Sequence, residues 1–295
     1  MNKSQLAARL KEEGQSYEEI VQLLNLKSVD RARGLVSEGR DSREKLIDRT
    51  KPTYLIIPDT QLRPGVPNDH LYWAGRYTAE RRPDLVIHLG DNHDMPSLSM
   101  YEQRGSKFHE GKRYRADIDA GNLGWERFEE GKGSFQPKRK IFLLGNHEYR
   151  IERAINADPR LEGVIGYHDF NAVDLGWEQI PFLEAIELEG IWFSHYFYAR
   201  NTGRAYSGSM DSRLRTIGHS FVQGHQQGLQ WGRRELNNGT AHVGLVAGSY
   251  YLHDEEYRNS QANNEWRGLI VMHEVGDGTY DPMMVSLDYL QRRYG

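Results

Sequence analysis

No cysteine occurs among the 295 residues. That absence excludes a disulfide-stapled fold, a zinc finger or ribbon, an iron–sulfur centre and a thiol nucleophile, and it fits a reducing compartment. Any bound metal must be held by His, Asp, Glu, Asn, Gln or backbone oxygen. Long apolar runs are missing as well. Runs such as Tyr54 to Ile57, Leu85 to Ile87 and Leu269 to Met272 fall far short of the ~18 residues of a membrane span. The first residues, Met1-Asn2-Lys3-Ser4-Gln5, lack the apolar stretch of a signal peptide, so the expectation is a soluble, cytoplasmic protein with no membrane partner. Nor is there an excess of positive charge. A net charge of −4 and a pI near 6.3 argue against a surface that binds nucleic acid everywhere, while leaving room for a local basic patch.

What is present is length enough to bury a core, together with 30 glycines and 12 histidines. Glycine exceeds the usual ~7%, which suggests many functional turns. The first forty residues read as a helical segment. Ser4 precedes Leu6, Ala7 and Leu10, and Gly14 closes that helix. Ser16 with Glu19 forms a capping box for a helix whose Ile20, Val21, Leu23 and Leu24 face a core. Ser28, after the turn Asn25-Leu26-Lys27, caps a third helix carrying Val29, Ala32, Leu35 and Val36. Three short helices with a tight turn between the last two resemble a helix-turn-helix, with Arg31 and Arg33 on the recognition helix. The alternative is a docking or dimerisation appendage. Residues 1–50 hold ten Lys and Arg against nine Asp and Glu, so the electrostatic case for DNA is thin. Residues 41–51 are highly charged and read as a linker to a domain over 52–295.

Past the linker, short apolar runs end in polar residues again and again. Tyr54-Leu55-Ile56-Ile57 stops at Pro58-Asp59, Leu85-Val86-Ile87-His88-Leu89 at Gly90-Asp91, and Ile141-Phe142-Leu143-Leu144 at Gly145-Asn146-His147-Glu148. Ile191-Trp192-Phe193 stops at Ser194-His195, and Phe221-Val222 leads to Gly224-His225. Each run has the length and branched content of a buried strand. In open α/β sheets ligands sit beyond the carboxyl ends of strands, so these five ends converge on one site.

One such pair after one strand is weak evidence, but the ordered series is strong. Asp59-Thr60-Gln61, Gly90-Asp91-Asn92-His93-Asp94, Gly145-Asn146-His147-Glu148, Ser194-His195 and Gly224-His225-Gln226-Gln227 together resemble the calcineurin-like metallophosphoesterase superfamily. Its pattern is Asp-x-His, Gly-Asp-x-x-Asp, Gly-Asn-His-Asp/Glu, a lone His, and Gly-His-x-His. The resemblance implies an α/β fold, a four-layer α/β/β/α sandwich with a two-metal site at the sheet ends. It implies Asp91 as the carboxylate bridging both ions, Asn146, His195 and His225 around the second ion, and Asp59 on the first. It further implies His147 as general acid, oriented by Asp94. Two divalent ions about 3.5–4 Å apart need a bridging anion, acidify a shared water and neutralise phosphate oxygens. A leaving alkoxide needs a proton, which a His with a carboxylate partner can supply near neutrality.

Two positions depart from the pattern. Gln61 and Gln227 stand where the superfamily has His, and by the resemblance both belong to the first ion, whose set becomes Asp59, Gln61, Asp91 and Gln227. An amide oxygen is a harder, weaker donor than imidazole, which shifts preference toward Mn or Mg. One or two divalent ions are expected, Mn foremost, with Fe, Zn, Ni or Mg open. A weakened dinuclear site, a mononuclear enzyme and a non-catalytic module all follow from these substitutions. Retention of His147 and Asp94 favours activity.

Other residues carry less. His88 reads as a packed core histidine and His93 as solvent-facing or a donor beside the site. Arg104, Lys107, Lys112, Arg113 and Arg115, interleaved with Tyr101, Phe108, His109 and Tyr114, read equally as a loop gripping a polyanion and as a solvated surface. Arg150, Arg200 and Arg204, with Lys112 and Arg113, are candidate phosphate contacts. His219 and His253 read as neighbours of the site, and Trp125, Trp177, Trp192, Trp231 and Trp266 as core. The sequence thus points to a metal-dependent phosphoesterase acting on a phosphodiester, with DNA or RNA the expected partner. A phosphomonoesterase and a metal-depleted interaction module stand as alternatives.

Overall fold

The computed structural model describes residues 3–46, 51–100, 107–254 and 265–295. Two compact units divide between Thr50 and Lys51. Among the described residues no helix is long and apolar enough to cross a membrane.

The first unit comprises α1 (Lys3–Glu12), α2 (Tyr17–Leu24) and α3 (Val29–Leu46). The Ser16 hydroxyl accepts from Glu19 N–H at 3.1 Å while the Glu19 carboxylate accepts from Ser16 N–H at 2.6 Å, so the expected capping box forms. Asn25 ends α2 in the left-handed conformation, and the Ser28 hydroxyl caps α3 through Arg31 N–H. Ala7, Ile20, Leu24, Ala32, Leu35 and Val36 form the core of the unit. Leu23 does not join it and is 60% exposed, because Ile20 and Leu24 already define the buried stripe of α2. Residues 41–46 of the stretch expected as a linker are helical, since α3 continues to Leu46. Arg43-Glu44-Lys45-Leu46 favours helix, and no proline intervenes before Pro52.

In the second unit, two sheets pack face to face. The first has the order β11-β10-β1-β2-β3-β4, built from β1 (Tyr54–Ile57), β2 (Leu85–His88), β3 (Arg139–Leu143), β4 (Glu178–Ile180), β10 (Gly268–Gly276) and β11 (Thr279–Ser286). The second has the order β5-β6-β7-β9-β8, from β5 (Ile186–Leu188), β6 (Ile191–Ser194), β7 (Ser220–Gln223), β8 (Leu229–Glu235) and β9 (Ala241–Ala247). β1 to β4 run parallel, as do β6, β7 and β9. Alternation along each strand sets the layers. Tyr54, Ile56, Ile87, Ile141 and Leu143 face Phe193, Val222, Val243 and Leu245 between the sheets. Leu55, Ile57, Val86 and Phe142 face the other way. They meet α4 (Asp69–Arg81), α5 (Tyr114–Lys132), α6 (Arg150–Ala157) and α8 (Leu287–Tyr294). On the outer face of the second sheet, α7 (Met210–Ile217) places Met210 and Leu214 against Gly244 of β9. The outcome is the four-layer α/β/β/α sandwich. Fully burying each Ile, Leu or Val contributes about 1.5–3 kcal/mol, so these strands hold rigidly the turns that follow them.

Trp125 and Trp177 are core, packed on each other with ring centroids 4.7 Å apart. Trp192 and Trp231 are not, being 37% and 41% exposed. Trp192 sits at an outward position of β6, whereas Trp231 stands opposite Leu245 on the inter-sheet face but on the edge strand β8, where it is left partly open.

Candidate metal centre

The carboxyl ends of β1, β2, β3, β6 and β7 deliver their turns to one place. Three non-glycine residues there adopt left-handed backbone: Gln61 (φ 43°), Asp91 (φ 53°) and His225 (φ 63°). Such strain persists only where surroundings over-determine it, and it concentrates at functional sites. Gly145 permits the crowding, since a Cβ there would lie 2.1 Å from Asp91 Oδ1.

The turn after β2 brings Asp91, whose Oδ1 accepts from His147 N–H at 2.9 Å and lies 3.5 Å from His195 Nε2. Asn146 Oδ1, from the turn after β3, is 2.9 Å from His195 Nε2 and 2.7 Å from His225 Nδ1. His195 spends its Nδ1 on the Leu89 carbonyl at 2.7 Å. That bond fixes the ring and leaves Nε2 to face the cluster, as an outer partner does for metal-ligating histidines. The donor atoms of Asp91, His195 and His225 all lie within 4.8 Å of one another.

Asp59 and Gln61 approach from the turn after β1. Asp59 Oδ1 accepts from His225 N–H at 3.1 Å, while its Oδ2 is buried without a partner. Gln61 Oε1 is likewise buried without a partner, and Gln61 N–H donates to the Asp91 carbonyl at 2.8 Å. Two buried oxygens left without donors cost free energy unless something positive meets them. With the two-nitrogen, two-oxygen cluster beside them, the residues fit divalent ions.

The electrostatics agree. Burial and the adjacent Asp91 charge push the Asp59 carboxyl above the usual range. Asp91 is held well below that range: burial opposes ionisation, but the charges and hydrogen bonds of His147 and His195 override it. Burial also opposes the imidazolium of His195, yet Asp91 and Asp59 carry it up to about 9. Burial and the His195 charge push His225 down to about 4, keeping it neutral. Carboxylates that hold a neighbouring imidazole charged would favour a metal cation in the same place.

His147 stands at its edge. Its Nδ1 is 2.7 Å from Asp94 Oδ1, and its Nε2 is 3.8 Å from Asp91 Oδ2. Burial disfavours its charged form, but Asp91 and Asp94 raise its pKa overall. Asp94 is brought to about 2 against burial by the His147 hydrogen bond, with Arg150 and Arg63 adding charge. Arg63 Nη1 is 2.9 Å from Asp94 Oδ2.

A family model described as calcineurin-like phosphoesterase matches residues 52–273, three quarters of the chain. The chain belongs to that family. No curated protein matches it. As a calcineurin-like phosphoesterase it is a hydrolase of phosphoester bonds that works with divalent metal ions.

Not every expected site residue of this phosphoesterase reaches the centre in the expected way. Gln227 Oε1 accepts from the Tyr251 hydroxyl at 2.7 Å. Arg150 is buried, donating to the carbonyls of Asp94 and Met95 at 2.7 and 3.2 Å, with Nη2 3.2 Å from His147 Nε2. Arg200 and Arg204 are exposed on the loop between β6 and α7. Lys112 lines a cavity of about 260 Å³ with Ser97, Leu98 and His109, a few residues beyond Asp94. Arg113 is exposed and bonds the Lys112 carbonyl. Arg104 and Tyr101 lie outside the described residues, as does the Phe108 side chain.

Several histidines are corrected or placed. His88 is buried between Trp125 and Phe142 and bonds Thr60 and Gly90, as a core histidine does. His93 is not solvent-facing: it is buried and stacked on Phe170 at 4.1 Å, in a space that glycine at position 121 of α5 leaves open. His219 is no neighbour of the site, because it precedes β7 whereas His225 follows it; its ring packs on Trp192 and Phe197. His253 stacks on Tyr251 at 4.7 Å.

Sequence reasoning assigned no role to Glu148, Arg63 or Tyr251. Glu148 was visible in its motif, and its buried carboxylate accepts from the backbone N–H groups of Asp91, His93 and Gly145. Arg63 and Tyr251 carry no sequence signal, since only folding brings them to Asp94 and Gln227.

Proposed function

We propose that this phosphoesterase cleaves phosphodiesters, with nucleic acid or a nucleotide as substrate and His147 as the general acid. The observation that carries the acid assignment is the placement of one imidazole between Asp94 on its Nδ1 side and the ligand cluster on its Nε2 side. Asp59, Gln61, Asp91, Asn146, His195 and His225 would hold the ions, which when bound acidify a water and neutralise phosphate oxygens. Asp94 keeps the His147 ring oriented and compensates its positive charge, so that Nε2 carries the proton toward the leaving oxygen. Arg150 Nη2 donates to that same Nε2 while it is unprotonated and, once Nε2 carries the proton, would turn to a phosphate oxygen entering beside it.

Support for a diester comes from the flank of the site. The cavity bordered by Lys112 and His109 is also lined by Ser97 and Leu98, three and four residues after Asp94, and it offers room and a lysine charge to a chain continuing past the scissile phosphate. Arg31 and Arg33 of α3 support DNA contact by the first unit. Arg31 pairs with exposed Glu38 and Arg33 with exposed Asp30, Arg33 also lying over the Tyr17 ring at 5.4 Å; such exposed ion pairs are worth little and exchange readily for phosphate.

The test is turnover of Mn²⁺-loaded protein on bis-p-nitrophenyl phosphate, p-nitrophenyl phosphate, and single- and double-stranded DNA. Diester and DNA cleavage exceeding monoester cleavage supports the reading. Preference for the monoester replaces it with a phosphomonoesterase, and no turnover on any of these, with a macromolecule still bound, replaces it with a binding module. Deleting residues 1–50 lowers DNA affinity and flattens its salt dependence; unchanged binding removes that unit from DNA contact.

A further inference from the structure

The two ion positions have different chemistry. One set, Asp91, Asn146, His195 and His225, offers two imidazole nitrogens and two oxygens, and its donor atoms are already gathered. The other lies by Asp59 and Gln61, where two buried oxygens lack partners. The fourth donor that the sequence offers to that second place is Gln227. Its amide oxygen is the atom that the Tyr251 hydroxyl holds at 2.7 Å. Tyr251 is itself fixed: it is fully buried, the Arg267 guanidinium lies 4.4 Å from its ring centroid, and His253 stacks on it. A buried, braced hydroxyl does not release its acceptor at low cost.

We infer that the sites are unequal: Asp91, Asn146, His195 and His225 bind one divalent ion tightly, whereas Asp59, Gln61 and Asp91 bind a second weakly, because they offer oxygen donors alone and the Tyr251 hydroxyl fixes Gln227 Oε1 and draws on one of its two lone pairs, leaving it a poor further donor. The inference rests on the divalent-metal reading and not on any substrate. With only oxygen donors, the weak position discriminates little among hard ions and accepts Mn²⁺ or Mg²⁺. The tight one, with two imidazoles, follows the ordinary preference for later transition ions.

Calorimetric titration of metal-free, full-length protein with Mn²⁺ tests this, together with elemental analysis after gel filtration. Two binding steps at least ~10-fold apart in affinity are expected, with one ion per chain retained on the column. His225→Ala removes the tight step. Gln61→Ala removes the weak step alone, and Gln227→Ala leaves both within about twofold. Tyr251→Phe frees the amide oxygen and tightens the weak step, and adding Gln227→Ala to it cancels the gain. Should Tyr251→Phe disturb folding, the Gln227→Ala and Gln61→Ala titrations still decide. Two ions of equal affinity, or a weak step lost in Gln227→Ala, overturns the inference while leaving the metal reading intact. Binding of no ion at all overturns both.

Discussion

The carboxylate of Glu148 accepts from the backbone N–H of Asp91 at 3.0 Å, across 57 residues of sequence. It also accepts from His93 at 2.8 Å and from Gly145 at 2.8 Å. A fully buried carboxylate thus ties the turn bearing Asp91 to the turn bearing Asn146 and His147. Glu148→Gln keeps the shape but turns an N–H toward one of those donors. We expect a loss of about 1–3 kcal/mol in unfolding free energy, read from urea denaturation. Mn²⁺ affinity at the His195 and His225 cluster should fall about 10-fold or more, read by calorimetry; unchanged values would show that the turns hold without it.

His147→Ala should lower turnover by about 10²–10⁴-fold while leaving bound metal unchanged. The loss should be larger on DNA than on a p-nitrophenyl ester, because nitrophenolate departs without a proton and a deoxyribose alkoxide does not. Equal losses on both substrates would point to a role for His147 other than proton donation.

Removing metal with a chelator should lower the thermal midpoint, and Mn²⁺ should restore it. Asp59 and Asp91 then lie buried as neighbours with no ion between them. Ligand linkage gives about 2.7 kcal/mol of stabilisation at a free ion concentration 100 times the dissociation constant. The Mn²⁺-induced shift should be largely lost in His225→Ala, which differential scanning fluorimetry can check.

His70 and His88 are buried, and burial pushes each down to about 3 from an ordinary 6.5. Below 6.5 the unfolded chain takes up protons that the folded one refuses, so stability falls with pH through that window and the loss levels off near 3. Each group contributes a slope of about 1.4 kcal/mol per pH unit at most. Both ring nitrogens of His70 lack partners, whereas His88 is hydrogen-bonded. His70→Leu should therefore flatten the acid limb of stability between pH 6 and 4 without harming the neutral plateau. An unaltered limb in urea unfolding would assign the acid sensitivity elsewhere.

Much of the site was legible because its chemistry sits directly after strands whose composition is unmistakable. The runs ending at Asp59, Asp91, Asn146, His195 and His225 are strands β1, β2, β3, β6 and β7 or their immediate turns. Strands β8 to β11 were less legible: β8 alternates exposed and half-buried residues and lies at a sheet edge, and Pro282 interrupts the pattern of β11. Histidine was the hardest residue to place. His93 comes three residues after Gly90 and His225 directly after Gly224, yet one is stacked in the core and the other joins the donor cluster with Asp91 and His195.

The chain by itself determined that any metal is held without sulfur, which residues follow which strands, and that a glutamine stands at two places where imidazole is usual. Those are local facts, set by composition, strand-length apolar runs and the few residues after each. Only the tertiary structure decided which oxygens meet nothing and which are already engaged. Asp59 and Gln61 point buried atoms at no donor, while Gln227 is held by Tyr251, 24 residues along the chain, and Glu148 closes on Asp91. A hydrogen bond depends on position within a few tenths of an ångström, and that position is fixed by the packing of two sheets rather than by any neighbour in sequence.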